Sequence, residues 1–261
     1  MRIFLQFPFI VSIIILSTVS ITFFLLIGKF IRKKIPHELL IENHAVGGFL
    51  YNAVCVIYAV LIAFVVFVIW NNIQETSSKI EREANNLLNL YYDATAYPDS
   101  IKKEIQSTIR EYVKRVTKEE WQSMADGKTD DEAVKYFIKL NRIFLSVNSN
   151  QVANTEILAQ SLKNMQDVRE FRRHRILSAR NNMPDILWLV IILSSVVLIV
   201  FTFFFSTKNI WHQYLMTAFL VFVCVLILYL IYVLDHPYVG QDAIKPDAFQ
   251  PLITIIEKFG K

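Results

Sequence analysis

Histidine is the residue type in this sequence best suited to metal binding or proton transfer, and its five copies are dispersed. They are His37, His44, His174, His212 and His236. No two lie three or four positions apart, so no helix would present two imidazoles on one face. His37 and His44, with two glutamates near them, could form a metal site in a loop, but a solvated loop at the level of the lipid headgroups is the simpler interpretation. We therefore predict no metal site and no cofactor.

The motifs that mark the common hydrolases, metalloproteases and nucleotide-binding proteins are also missing. The patterns G-x-S-x-G, H-E-x-x-H, G-x-x-x-x-G-K-[ST] and G-x-G-x-x-G do not occur. The two cysteines, Cys55 and Cys224, lie in apolar stretches without metal-ligand spacing, which favours small apolar residues over a disulfide or a metal site. We predict no catalytic residue and a protein that is not an enzyme.

Four long stretches without charged residues set the class of the protein. They cover residues 3–27, 45–70, 186–207 and 213–234. About 20 residues of α-helix cross the hydrocarbon core of a membrane, and none of the stretches alternates as a membrane strand would. The first is longer than the apolar core of a signal peptide, so we expect it to be retained. The pattern predicts an all-α, polytopic protein with four transmembrane helices in a lipid bilayer.

The region between the second and third stretches, residues 71–185, is rich in charges of both signs. Its only helix breakers are Pro98, Gly127 and Pro184, so its helices are expected to be long. Their apolar residues recur at helical spacing, which predicts a helical bundle outside the membrane. The predicted domains are residues 3–70 (helices one and two), 71–185 (the bundle), 186–234 (helices three and four) and 235–261 (a C-terminal tail).

Two helix starts in the bundle can be predicted from residues that favour helix caps. Asp99 or Ser100 is expected to cap the helix that follows Pro98. Thr129 and Glu132 have the spacing of a capping box, in which the glutamate side chain returns to the threonine amide.

The second membrane helix is expected to continue into the bundle. No proline lies between Gly47 and Tyr97, and no glycine follows Gly48 in that range. An uninterrupted helix of this length would measure about 75 Å and would carry movements of the bundle directly to the membrane. A break at Asn71-Asn72 is the alternative.

The second stretch is the best candidate for lining a pore. A stripe of small side chains recurs on it at helical spacing, namely Gly48, Asn52, Cys55, Ala59 and Ala63. This small-residue stripe could line an ion path in an oligomer, or it could let helices pack closely without a pore. All four stretches lack Asp, Glu, Lys and Arg in their interiors, which argues against a proton-coupled carrier and is compatible with a pore gated by apolar side chains.

A basic cluster before the third stretch could meet an anion. It contains Arg169, Arg172, Arg173 and Arg175. These side chains could concentrate anions at a pore mouth or bind anionic lipid at the membrane surface. The net charge of +4 is modest and no nucleic-acid-binding motif occurs, so we predict no nucleic acid partner. More basic residues lie near the membrane on the bundle side, which favours a cytoplasmic location for residues 71–185.

Three aspartates lie in or near the turn DHPYVG (235–240) after the fourth stretch. Asp235, Asp242 and Asp247 offer oxygen atoms, which calcium prefers as ligands. Their spacing matches no calcium-binding motif, so we interpret them as parts of a solvated, structured turn.

Several segments resemble the bestrophin-like domain family of uncharacterised prokaryotic and plastid membrane proteins, which is distantly similar to the bestrophin anion channels. They are VIWNNIQETSSKIEREANNLLNLYYDATAYP (68–98), REYVKRVTKEEW (110–121), MPDILW (183–188), DHPYVG (235–240) and NHAVGG (43–48). The resemblance implies a homo-oligomer, a pentamer as in bestrophins, whose second membrane helices line the pore. Counting back from Trp70, the apolar constriction of bestrophins corresponds to Ala53, Ile57 and Leu61, with no phenylalanine pair.

These features predict an oligomeric ion channel that conducts anions, chloride in particular, passively across a bacterial inner membrane. The alternative is a non-conducting membrane scaffold or stress sensor whose bundle binds a partner. An apolar patch on the outer faces of the bundle would favour that alternative.

Overall fold

The apolar stretches and the charged region between them all fold as helices. The computed structural model describes residues 7–34, 44–148, 152, 154–205, 209–241 and 243–259, and within these ranges the regular structure is helical, with no β-strand. The helices are α1 (Phe9–Lys34), α2 (His44–Asp93), α3 (Asp99–Arg115), α4 (Trp121–Ala125), α5 (Asp131–Ser146), α6 (Thr155–Ser178), α7 (Asp185–Phe201), α8 (Ile210–Leu234) and α9 (Gln250–Phe259). A π-helical turn, Val116–Glu120, joins α3 to α4. The all-α prediction is confirmed.

Four of these helices, α1, α2, α7 and α8, are long and apolar enough to cross a membrane, which confirms the predicted number of spans. α1 begins at Phe9, and the predicted start of the first span at residue 3 lies outside the described residues. α8 begins at Ile210, earlier than predicted, because the Oδ1 atom of Asn209 caps it by accepting the Trp211 N–H at 3.0 Å.

The chain divides into two compact units. The membrane unit comprises Met1–Asn71 and Met183–Asp242, and the bundle unit comprises Asn72–Asn182 and Ala243–Lys261. The residues that follow the fourth span therefore include α9 as a part of the bundle unit. α2 contributes its first part to the membrane unit and its remainder to the bundle unit.

Apolar side chains on α1, α7 and α8 form the core of the membrane unit. One buried cluster contains Ile13, Tyr229 and Tyr232, and a second contains Ile199, Phe203, Val221 and Cys224. Cys224 thus serves as a small core residue, as predicted. Gly28 allows α1 to approach the second cluster, because a Cβ atom at this position would lie 3.0 Å from the Phe203 ring.

α2 is one uninterrupted helix of 50 residues. At about 1.5 Å per residue it is about 75 Å long. The alternative break at Asn71-Asn72 does not occur, because no proline interrupts the helix and its glycines, Gly47 and Gly48, lie in its first turns.

The bundle helices begin and end near the predicted breakers but not at the predicted caps. Pro98 occupies the cap position of α3 and Asp99 is the first helical residue, so the prediction of a cap from Asp99 or Ser100 is wrong. Gly127 has a φ of 69°, which permits the chain to leave α4 while the Lys128 N–H donates to the Ser123 carbonyl at 2.9 Å.

Asp130, rather than Thr129, caps α5. Its Oδ2 atom accepts the Ala133 N–H at 3.1 Å and also the Arg115 Nε–H at 2.5 Å, which holds the pKa of Asp130 below its usual range. Glu132 instead pairs with Lys135 at 2.5 Å. The predicted capping box is wrong because the aspartate one position later caps α5 and also pairs with Arg115 of α3.

Candidate functional site

α2 packs inside the membrane unit through one row of buried side chains. The row consists of Tyr58, Ile62, Val65 and Ile69. The Tyr58 hydroxyl contacts Oγ of Ser195 on α7 at 2.7 Å. Ser195 donates to the Ile191 carbonyl at 2.7 Å, so Tyr58 is the donor in the contact between the two hydroxyls. Because lipid offers a hydroxyl no partner, this hydrogen bond commits the row to packing within the chain.

The small-residue stripe lies beside the buried row. Asn52, Ala59 and Ala63 are exposed, and Gly48 and Cys55 are partly buried. A Cβ atom added to Gly48 would meet nothing within 4 Å in the described part of the chain. The exposed members of the stripe are therefore open to contacts from outside the chain.

The three residues implied by the family resemblance lie on the other flank of the buried row. Ala53 is exposed, Ile57 is 69% exposed and Leu61 is partly buried. At about 100° per residue, the centre of this set is roughly 160° around the helix from the centre of the small-residue stripe. One helix cannot turn both sets toward the same axis, so the structure separates two groups that the sequence placed together as pore candidates.

Sequence reasoning missed the large apolar side chains that α2 turns away from the buried row. Phe49, Val60, Phe64 and Phe67 are each more than half exposed. Val60 and Phe64 extend the positions of Ala53 and Ile57 at helical spacing, and we name these four residues the apolar row. The signal was present in the sequence as large apolar residues at intervals of three and four.

The basic cluster of α6 divides into a buried pair and an exposed pair. Arg175 is fully buried and Arg172 is 8% exposed, whereas Arg169 and Arg173 are exposed. The prediction that Arg172 and Arg175 meet an anion or a lipid headgroup is therefore wrong, since neither presents a free surface. For Arg169, whose Nη2 atom donates to Asn141 at 2.6 Å, and for Arg173 it stays a prediction.

Two buried glutamates are the partners of the buried arginines. Arg175 donates to both carboxylate oxygens of Glu83, at 2.7 and 3.0 Å, and to Glu120 at 2.8 Å. Arg172 donates to the other oxygen of Glu120 at 2.5 Å. Two positive and two negative charges thus form a neutral cluster, which is the condition under which buried charges are tolerated.

Aromatic side chains surround this ion cluster and shape its electrostatics. The Tyr112 hydroxyl donates to Glu83 at 3.1 Å, and the Arg175 guanidinium lies 5.5 Å from the centre of the Trp121 ring. Burial, with the Glu83 charge beside it, holds the pKa of Tyr112 well above its usual value, so the hydroxyl stays a donor. Burial alone would lower the pKa of Arg175, but the adjacent carboxylates raise it well above its usual value.

The π-helical turn positions one of the two glutamates. Val116–Glu120 ends with Glu120, which is fully buried and belongs to the ion cluster. Such turns are rare and occur mostly as single-turn bulges in α-helices, frequently at functional sites. A sequence signal for the burial of these glutamates is their spacing from apolar residues. Glu83 follows the buried Ile80 by three residues and Glu120 follows the buried Val116 by four, which places each glutamate on the apolar face of its helix.

Asp235 connects the ends of two membrane helices. Its carboxylate accepts the Met183 N–H at 2.6 Å and the Trp188 indole N–H at 3.1 Å, and the residue is 7% exposed. Its interpretation as part of a solvated turn is therefore wrong. Asp247 is exposed, whereas Asp242 lies outside the described residues.

The candidate loop site for a metal, at His37 and His44 with two glutamates between them, lies outside the residues whose side chains the structure describes. Among the described residues, no group of three or more His, Cys, Asp and Glu residues could hold a metal ion.

Arg175→Leu is expected to lower the free energy of unfolding by about 3–5 kcal/mol, because it leaves two buried carboxylates without their shared cation. Arg173→Leu on the same helix is the matched control and should change it by about 0.5 kcal/mol or less, because Arg173 is exposed. Thermal unfolding of both variants in one detergent measures the difference. Equal melting temperatures for Arg175→Leu and wild type would contradict the role assigned to the ion cluster.

Comparison with known proteins agrees with this arrangement of helices. Residues 14–249 match the family model described as the bestrophin-like domain. Crystal structures of a bacterial bestrophin homologue from Klebsiella pneumoniae are similar in fold. One has a TM-score of 0.71 at 9% identity over 96% of this chain and 100% of that chain. Another has a TM-score of 0.68 at 10% identity over 97% and 99%.

No curated protein matches the chain. The identities to the solved structures are low, so those structures establish the fold alone. The family model covers most of the sequence, including the first span from residue 14 onward, the other three spans and the bundle between them. The chain belongs to the bestrophin-like family.

Proposed function

We propose that this protein is the subunit of an oligomeric ion channel that conducts anions, chloride in particular, passively across the membrane. The observation that carries the proposal is membership of the bestrophin-like family over nearly the whole chain. The bestrophins are pentameric anion channels in which the second membrane helices surround the pore. By this resemblance the protein is a homo-oligomer, a pentamer, and not an enzyme.

The composition of the membrane helices supports passive conduction. In the described residues, the interiors of α1, α7, α8 and the membrane part of α2 contain no Asp, Glu, Lys or Arg. Carriers that couple transport to protons or ions rely on ionisable groups at this depth. A pore with apolar walls needs none, since an apolar constriction controls the passage of ions by excluding water.

The two flanks of α2 suit different roles in the proposed oligomer. The apolar row, with Ala53 and Ile57 from the set implied by the family, points away from the subunit's own core and would form the constriction. Leu61 is partly buried and would support it from the side. The small-residue stripe would contact α2 of a neighbouring copy, because small side chains let helices approach closely.

We place the bundle unit on the cytoplasmic side of a bacterial inner membrane, where Arg169 and Arg173 are available to anionic lipid. The alternative of a scaffold that binds a protein partner gains no specific support. The large apolar side chains exposed on the described bundle unit are Tyr92, Ile138, Leu145 and Leu177. Only Ile138 and Leu145 share a helix face, and such scattered exposure is ordinary for a protein surface.

Ile57→Ala combined with Phe64→Ala is expected to speed chloride efflux from proteoliposomes several-fold over wild type, because smaller side chains would widen the constriction that the apolar row forms in the proposed pore. The matched control is Ile10→Ala combined with Phe23→Ala, which removes the same atoms from exposed positions on α1 and should leave the efflux unchanged. Wild-type flux must exceed that of empty liposomes. Absence of flux in all three proteins, each shown to be oligomeric by size, would refute the channel.

The cytoplasmic location is tested with a cysteine at Gln122, an exposed position of the bundle unit. A membrane-impermeant maleimide is expected to label Gln122→Cys only after the inner membrane is permeabilised, because the reagent cannot reach the cytoplasm of intact cells. The protein without this substitution serves as the control, since Cys55 and Cys224 both lie in membrane helices. Labelling in intact cells would reverse the assigned orientation.

A further inference from the structure

A groove in the bundle unit shares no lining residue with the ion cluster. It runs between α3 with the π-helical turn on one side and the C-terminal helix α9 on the other. Its volume is about 400 Å³, which is near the lower end of the range of small-molecule sites, roughly 300–1,000 Å³. The groove is therefore large enough for a small organic molecule.

The apolar wall of the groove is formed by side chains of both helices. Val113 of α3 and Ile256 of α9 are almost completely buried, and Ile253 of α9 is partly buried. These side chains form a surface that favours a hydrocarbon group over water.

The positive charge of the groove comes from α3 and the π-helical turn. Arg110, Lys114 and Lys118 line the groove at intervals of four residues, so they follow one another along the same side of α3 and its π-helical extension. Glu257 is the carboxylate among the lining residues. The exposed charges among these residues are Lys114, Lys118 and Glu257, which leave one positive charge in excess.

We propose that this groove binds a small organic anion with a short apolar body, of which a short-chain carboxylate is the simplest form. The negative head would lie along the row of cations, and the hydrocarbon would lie against Val113, Ile253 and Ile256. A neutral apolar molecule would forgo the attraction of the cations, and an inorganic anion would leave the apolar wall exposed to water. The inference does not depend on whether the protein conducts ions.

Such a ligand would also fix α9 to the rest of the bundle unit. Trp121 holds the segment that leads to α9. Its indole N–H donates to the Ile244 carbonyl at 2.9 Å, and its ring packs edge-to-face on Phe249 with 6.2 Å between the ring centroids. A molecule that contacts α3 and α9 together adds a second attachment. Ligand binding is thus expected to stabilise the C-terminal helix, because it occurs only when the groove is formed.

Isothermal titration of hexanoate into the full chain, in nanodiscs of neutral lipid, tests the site. Wild type should bind hexanoate with saturation and bind it more weakly as salt is added, since part of the attraction is electrostatic. Hexanol at the same concentrations should show no saturable binding. Exchange of the α9 amides with deuterium should slow when hexanoate is bound.

Lys114→Gln combined with Lys118→Gln is expected to weaken hexanoate binding by about tenfold, because two exposed cations are removed from the groove. Lys102→Gln combined with Lys103→Gln changes the charge of the same helix equally at its other end and should leave the affinity unchanged. Ile253→Phe, which fills the apolar side of the groove, should also weaken binding. Circular dichroism and size-exclusion profiles verify that each variant is folded.

Three results would overturn the proposal. The first is the absence of saturable hexanoate binding to wild type. The second is unchanged affinity in the Lys114 and Lys118 variant, which would place the bound anion elsewhere. The third is an equal loss of affinity in the Lys102 and Lys103 control, which would show attraction to the charge of the helix as a whole. None of these results bears on chloride efflux, so failure here is distinguishable from failure of the channel.

Discussion

The hydrocarbon layer of a membrane offers no water to a peptide N–H or C=O group, and the membrane unit is built around this constraint. Each of its spans is helical, so most of its backbone hydrogen bonds are made within its own helix. The same constraint governs its buried side chains, since the Tyr58 hydroxyl finds its partner in Ser195, and Ser195 finds its own in the carbonyl of Ile191. The exposed side chains on the membrane part of α2 are apolar or small. This is the composition expected of a helix that meets lipid, another helix or a dewetted pore.

The bundle unit solves a different problem, because its centre contains charges. Arg175 is fully buried, and a lone cation at that position would be strongly unfavourable. Glu83 and Glu120 neutralise it together with Arg172, and the π-helical turn directs Glu120 into the cluster. Removing one partner of such a cluster is costly, because it leaves an uncompensated buried charge, whereas the net contribution of the intact cluster relative to a well-packed apolar core is small.

The sequence predicted the features that depend on composition along one helix. Four spans follow from uncharged stretches, and the length of α2 follows from the absence of proline. It failed where a residue depends on a partner far away in the chain. Arg175 and Glu83 are 92 residues apart, and no local pattern shows that an arginine in a basic cluster points inward to a glutamate. The opposite flanks of α2 follow from spacing alone, but which flank faces a pore depends on the oligomer.

Family membership, uncharged spans and an exposed apolar row on α2 together support a passive anion channel. The most direct test is the reversal potential of currents through the purified protein in planar bilayers under a gradient of potassium chloride. An anion channel must reverse its current near the equilibrium potential of chloride, and replacing chloride by a large impermeant anion on one side must shift that potential. Reversal near the potassium potential, or no current from oligomeric protein, would contradict anion conduction.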